Sequence, residues 1–204
     1  MNTVAIDPEF AAVIPPMGQE EFNLLEANIC AEGCRDPLVK WRGILLDGHN
    51  RLKICERHDI PFRTVEREFA DRQAAKDWIL ANQLARRNLH GDQFTVLLGQ
   101  LYNSRKKAAG GRSDREFGVC EVTAPKTSEV LAKAHGVSEA TVRRAGKKAE
   151  ELEAIAKEDP TAAKAIMAGK MKLTEVAKNL RRRAVAEQIR REPAPLPEGP
   201  FRVI

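Results

Sequence analysis

At 204 residues, with 43% apolar and 31% charged side chains, the chain is long enough for one domain with a good core or for two small ones. No apolar run approaches the roughly 20 residues that a membrane span needs, and an N-terminus carrying Asp7 and Glu9 with no early basic cluster is not a secretory signal; the expectation is a cytoplasmic protein. Charge is uneven: residues 1 to 90 hold 12 Lys and Arg against 14 Asp and Glu, the rest 22 against 15, so the net +5 divides into −2 and +7, and a polyanion would bind the second part.

Residues 1 to 17 read as extended, because the Ile14-Pro15-Pro16 step cannot lie inside a helix. A helix is expected from Gln19, with Phe22, Leu25 and Ile29 on one stripe and Gly33 placed to end it. Pro37 to Trp41 reads as a strand, Arg42-Gly43 as a tight turn and Ile44 to Leu46 as the hairpin partner. The apolar run then stops at Asp47-Gly48-His49-Asn50-Arg51, after which helical spacing takes over to about His58. A strand feeding a helix through a glycine leaves the first N–H groups of that helix unpaired at the strand end, which suits an anion. Arg51 is placed to reach back over that turn as a phosphate ligand, and Asp47 and His49 flank the glycine with groups suited to metal or acid/base work. The plain alternative is that Gly48 only makes the turn. Pro61 to Glu66 alternates like a half-buried strand, completing a small α/β unit.

From Asp71, read as an N-cap, the chain is expected to be helical. Ala74, Ala75, Trp78, Ile79, Asn82 and Gln83 recur at helix spacing, and the segment ends near Arg86-Arg87, which either answers the helix dipole or adds phosphate ligands. A further helix is expected from about Gln93 to Lys107, then a mobile, partly basic linker over about 108–126. Cys30, Cys34, Cys55 and Cys120 lack the two tight pairs of a zinc site, so they read as incidental thiols and no metal is expected from them.

Thr127 to about Lys148 has the plan of a helix-turn-helix. Ala132 is small where two helices approach, Gly136 allows a left-handed turn, Val137 and Val142 fill the angle between the helices, and Ser138 caps the second one. That helix would project Glu139, Ala140, Thr141, Arg143, Arg144 and Lys147 toward bases and phosphates. A generic helical hairpin with a solvated basic face is the plain alternative. Two more helical stretches follow, Thr161 to Met167 and Leu173 to about Arg190, the latter with Arg181-Arg182-Arg183 and Arg190-Arg191, and then a proline-rich tail over 193–204.

The order of hairpin, Asp47-Gly48-His49-Asn50-Arg51, the Asn82 to Leu89 segment and a helix-turn-helix resembles the ParB-type partition proteins, especially the shorter members of plasmids and phages. The resemblance implies an α+β N-terminal domain of the ParB/sulfiredoxin fold over 1–90, followed by an all-α DNA-binding domain over 91–192. It further implies CTP with Mg²⁺ as ligand, CTPase activity, double-stranded DNA, a homodimer and a partition ATPase as partners, and a nucleoid- or plasmid-associated location. The family's Gly-Glu-Arg-Arg phosphate motif falls on Gly48, His49, Asn50 and Arg51, and its Asn-x-x-Arg segment near Asn82 and Arg86, with Arg87 adjacent. His49 and Asn50 stand where partition proteins carry Glu and Arg. Sulfiredoxins carry their catalytic cysteine where His49 stands. The Asp-Gly-His-Asn-Arg form is also similar to free-serine kinases, so a phosphotransfer enzyme or nuclease using this turn is the alternative. Ser138, Glu139, Thr141, Arg143, Arg144 and Lys147 are the DNA-binding residues expected.

Overall fold

A computed structural model describes residues 4–85, 89, 91–108 and 125–191. The N-terminal stretch corrects one expectation, since Pro8–Ala12 is a short helix, α1. Its cause is local: the Asp7 carboxylate accepts from the backbone N–H groups of Glu9 at 2.9 Å and Phe10 at 3.3 Å, and Pro8 fits the first helical turn. Helix α2, Gln19–Glu32, ends at Gly33 with φ 77°.

Strands β1, Leu38–Trp41, and β2, Ile44–Asp47, form an antiparallel hairpin. Arg42 and Gly43 have φ of 49° and 76°, the paired positive values that a two-residue hairpin turn needs. The register shifts between Val39 and Lys40, and Leu45 and Leu46 are both buried, one packing with Leu38 and Leu52 and the other in the main core. Both sheet faces are therefore covered, which is why β2 reads as an unbroken apolar run. Helix α3, His49–Arg57, crosses over to β3, Thr64–Glu66, which lies parallel to β1 and gives the order β2-β1-β3. The strand expected from Pro61 is only three residues long, because the β1 ladder it pairs with starts at Leu38, opposite Thr64.

The helices that follow are α4, Arg72–Leu84; α5, Gly91–Ala108; α6, Thr127–His135; α7, Glu139–Glu158; α8, Pro160–Met167; and α9, Leu173–Arg191. Asp71 caps α4 by accepting from the Ala74 N–H at 2.7 Å. The expected linker lies largely outside the described residues, as do Cys120 and the tail. One core cluster takes Phe10, Trp41 and Leu46 from the α/β unit and Ile79, Leu97, Leu101, Leu131 and Val142 from the helices. A second cluster, including Val96, Leu152, Ile166, Leu173 and Val176, seats α8 and the first half of α9. Helices α5 and α7 cross at glycines: a Cβ on Gly99 would lie 2.0 Å from the Ala145 carbonyl oxygen, and one on Gly146 would lie 2.8 Å from Asn103 Oδ1. The missing side chains let the two backbones touch, and Asn103 Nδ2 donates across the crossing to the Gly146 carbonyl at 3.0 Å. Among the described residues no helix is long and apolar enough to cross a membrane.

Candidate functional site

Gly48 adopts φ 101° and ψ 21°, a left-handed conformation at the N-cap of α3. A Cβ there would lie 2.4 Å from Leu38 Cδ2, so the turn is closed to other residues by backbone preference and by space together. Among the described residues no side chain caps α3, so its first turn opens at the end of β2. Arg51, one turn into α3, folds back over the glycine. Its Nη2 lies 3.2 Å from Asp47 Oδ2 and 3.4 Å from the Pro37 carbonyl, and its Nη1 lies 3.6 Å from Asp36 Oδ2. Arg51 Nε is buried with no hydrogen-bond partner among the described residues.

Asp47 through Arg51 line a cavity of about 290 Å³ together with Ile14, Met17 and Leu25. Both ring nitrogens of His49 are buried, and the Asn50 amide donates weakly to Met17 Sδ at 3.7 Å. Met17, Leu25 and Asn50 are also walls of a larger cleft, about 610 Å³, that reaches Gln83 on α4, Gln93 on α5 and Ala168 after α8. Gln93 Nε2 donates to the Met167 carbonyl at 2.6 Å, so α8 is fixed against the same helix end that borders the cleft.

Gln83, rather than the expected Asn82, faces that cleft. It is 2% exposed and its Nε2 has no partner among the described residues. The signal for it was present: Gln83 continues the buried stripe of Ala75 and Ile79, and a polar residue on an apolar stripe marks a buried hydrogen-bonding group. Asn82 is half-buried, and Arg86 and Arg87 lie outside the described residues. No three His, Cys, Asp or Glu side chains gather as a metal site among the described residues. Burial and a hydrogen bond with Cys34 push the Cys55 thiol up to about 11, so it stays protonated and is a poor nucleophile.

The second candidate site is the α6–α7 pair. Gly136 ends α6 with φ 65°, and the Ser138 hydroxyl accepts from the Thr141 N–H at 3.1 Å, capping α7 as its position predicts. Ala132 and Val142 are buried between the helices, with Val137 half-buried beside them. Glu139 is held inside the motif: its Oε2 accepts from the Ser128 hydroxyl at 3.0 Å and lies 3.3 Å from Arg143 Nη1. Arg143, Arg144 and Lys147 are exposed. At the far end of α6 the His135 ring packs edge-on to Phe94 on α5, with centroids 6.3 Å apart. Burial, and repulsion from Arg105, lower its pKa.

No family model matches the chain, and no curated protein matches it. Among solved structures it is similar to the one described as the C2221 form of Pnob8-like ParB-N domain, with a TM-score of 0.52 and 18% identity over 93% of this chain and 80% of that one. A structure of the pNOB8-like ParB N-domain gives a TM-score of 0.49 at 18% identity, over 93% of this chain and 75% of that one. At this identity the likeness is one of fold: an α+β start with a small sheet, followed by helices.

Proposed function

We propose, from the premise that this chain has the fold of a ParB N-domain, that it is a DNA-binding protein of the ParB type, acting in plasmid or chromosome partition, in plasmid maintenance or in transcriptional regulation of these. In this reading α6 and α7 are a helix-turn-helix, and the first turns of α7 enter the major groove. The observation that carries the reading is the joined geometry of Gly136, the Ser138 cap and the buried Val142, which turns the exposed Arg143, Arg144 and Lys147 outward from one rigid corner. The hydrogen-bonded position of Glu139 makes it a brace between the helices and an aligner of Arg143. A band shift with duplex DNA at falling salt tests the reading, since several phosphate contacts must raise affinity as counterions become scarce. Absence of a shift at the lowest salt would sink it.

The N-terminal pocket is read as a regulatory nucleotide site, with CTP and Mg²⁺ as the ligand that the resemblance implies. The donors suit a phosphate-bearing group: Arg51 Nε and Gln83 Nε2 have no hydrogen-bond partner among the described residues, and α3 starts here without a side-chain cap among them. Asp47, which lines the cavity, is the acidic group read as facing a cation. A homodimer and a partition ATPase partner belong to the same proposal. Phosphotransfer or nuclease chemistry at this turn is the weaker reading, because Asp47 lies in an ion pair with Arg51. A thermal-shift panel of CTP, ATP and GTP with Mg²⁺ separates these: a ligand of the folded state raises the midpoint, and turnover lost in Asp47→Ala while DNA binding persists would favour the enzyme.

A further inference from the structure

Beyond Leu180, none of the described side chains of α9 is buried. Leu173 and Val176 are buried in the second cluster, but 181–187 and Arg190 are all exposed, and Val185 is 56% exposed. From Lys178 to Arg191 the helix carries six basic residues against Glu187 alone, a net +5 that equals the charge of the whole chain. A helix end that only needed solubility would mix its charges, since like charges three or four residues apart destabilise a helix by a few tenths of a kcal/mol each. Here Lys178 faces Arg181 and Arg182 at those spacings. The helix dipole accounts for Arg190 and Arg191 in the last turn, but its effect fades within one turn, and Arg181 to Arg183 lie more than two turns inside.

Position supplies the rest. On α7, Arg144, Lys147 and Glu151 recur at i, i+3 and i+7 and so share one face. Glu151 Oε1 accepts from Arg181 Nη2 at 2.5 Å. Arg181 therefore joins α9 to that face about 10 Å along the axis from Arg144, on the side that the proposed DNA-binding residues occupy.

We infer that α9 is a second nucleic-acid surface, which binds the phosphate backbone of the duplex without reading its bases. Lys178, Arg182 and Arg183 are its main contacts, and Arg181 is oriented by Glu151. The inference rests on the DNA-binding reading and adds a sequence-independent component to it. Its test is fluorescence anisotropy of the full chain on a random-sequence duplex across a salt series. The K178Q/R182Q/R183Q variant should flatten the slope of log affinity against log salt by about 2 to 3 and weaken binding about tenfold or more at 0.1 M salt, with an unchanged thermal midpoint because all three side chains are exposed. R182K/R183K should keep the wild-type slope, since a phosphate needs the charge and not the guanidinium shape. An unchanged slope in the Gln variant overturns the inference while leaving the DNA-binding reading intact. So does a Lys variant as weak as the Gln one, or a Gln variant that alters only the self-association measured by light scattering. Failure of the wild-type chain to bind any duplex sinks the reading itself.

Discussion

At the Gly48 turn, Arg51 is 21% exposed and gives its guanidinium to Asp47, itself 14% exposed, to Asp36 and to the Pro37 carbonyl. On α7, Arg144 stands in solvent with no ion pair among the described residues. The same residue type thus holds a loop together in one region and remains available to a partner in the other. An arginine beside a glycine turn is not in itself a phosphate ligand; what it touches decides how much of it is left to bind. By that measure the outward face is complete as it stands, whereas the cavity has Arg51 Nε and the adjoining cleft Gln83 Nε2 without a partner among the described residues.

The largest effect expected is from Gly48→Ala. The positive φ and the 2.4 Å approach to Leu38 together cost about 3 kcal/mol, seen as a lowered urea midpoint. The duplex salt slope should be unaffected below the melting temperature; a loss of DNA affinity in the folded variant would mean that the two regions are not separable. Next come two matched substitutions. Arg51→Ala should destabilise by about 2 kcal/mol, because it strips charged hydrogen bonds from partly buried Asp47. Arg144→Ala should change stability by less than about 0.5 kcal/mol and weaken duplex binding instead. If both variants behave alike in both assays, the contrast between the regions is wrong.

What the sequence reveals of this contrast is its local half. Asp71, Gly33, Gly136 and Ser138 act through neighbours two to five residues away, so their caps are legible as short patterns, and so is the Arg42-Gly43 turn. Helix α1 was hidden because Pro15 and Pro16 dominated a stretch whose deciding contact is the Asp7 cap, well before them. The partners of Arg51 at Asp36 and Pro37, the bond from Ser128 to Glu139, and the placement of Gln83 instead of Asn82 in the cleft depend on how elements pack, and no spacing rule carries them. Uneven charge was legible; that Arg181 on α9 reaches Glu151 on the α7 face was not, because it follows from the seat of Leu173 and Val176 in the second cluster.

Gln83 offers a smaller test of the pocket. Replacing it with Met keeps the volume and removes a buried amide whose Nε2 is unsatisfied, so the ligand-free protein should gain about 1 kcal/mol. Any nucleotide-induced rise in the thermal midpoint should shrink in the same variant. A stability gain with an undiminished nucleotide shift would separate Gln83 from the ligand, and a stability loss would show that its amide is already satisfied in solution.

The smallest effect concerns acid, and it distinguishes the regions by pH. His135 ties the end of α6 to Phe94, and its folded pKa lies below the ordinary 6.5 because burial and Arg105 disfavour the charged ring. The unfolded chain therefore takes up this proton first as pH falls. Stability from this residue is level above about 6.5 and declines below it, until the folded protein also protonates. In the N-terminal unit the depressed groups are carboxylates. Hydrogen bonds from Arg72 to Asp7, from Lys76 and Arg72 to Glu9, and from His58 and Arg57 to Glu26 hold them below ordinary values of 3.8 and 4.5. Their stabilisation is present above those values and is lost as pH falls through the lowered ones. Hydrogen exchange followed from pH 7.5 to 3.5 should accordingly show α6 loosening first, below about 6.5, with α1 and α2 loosening only at the acid end. His135→Gln should remove the first step and leave the second; persistence of the first step in that variant would assign it to another group.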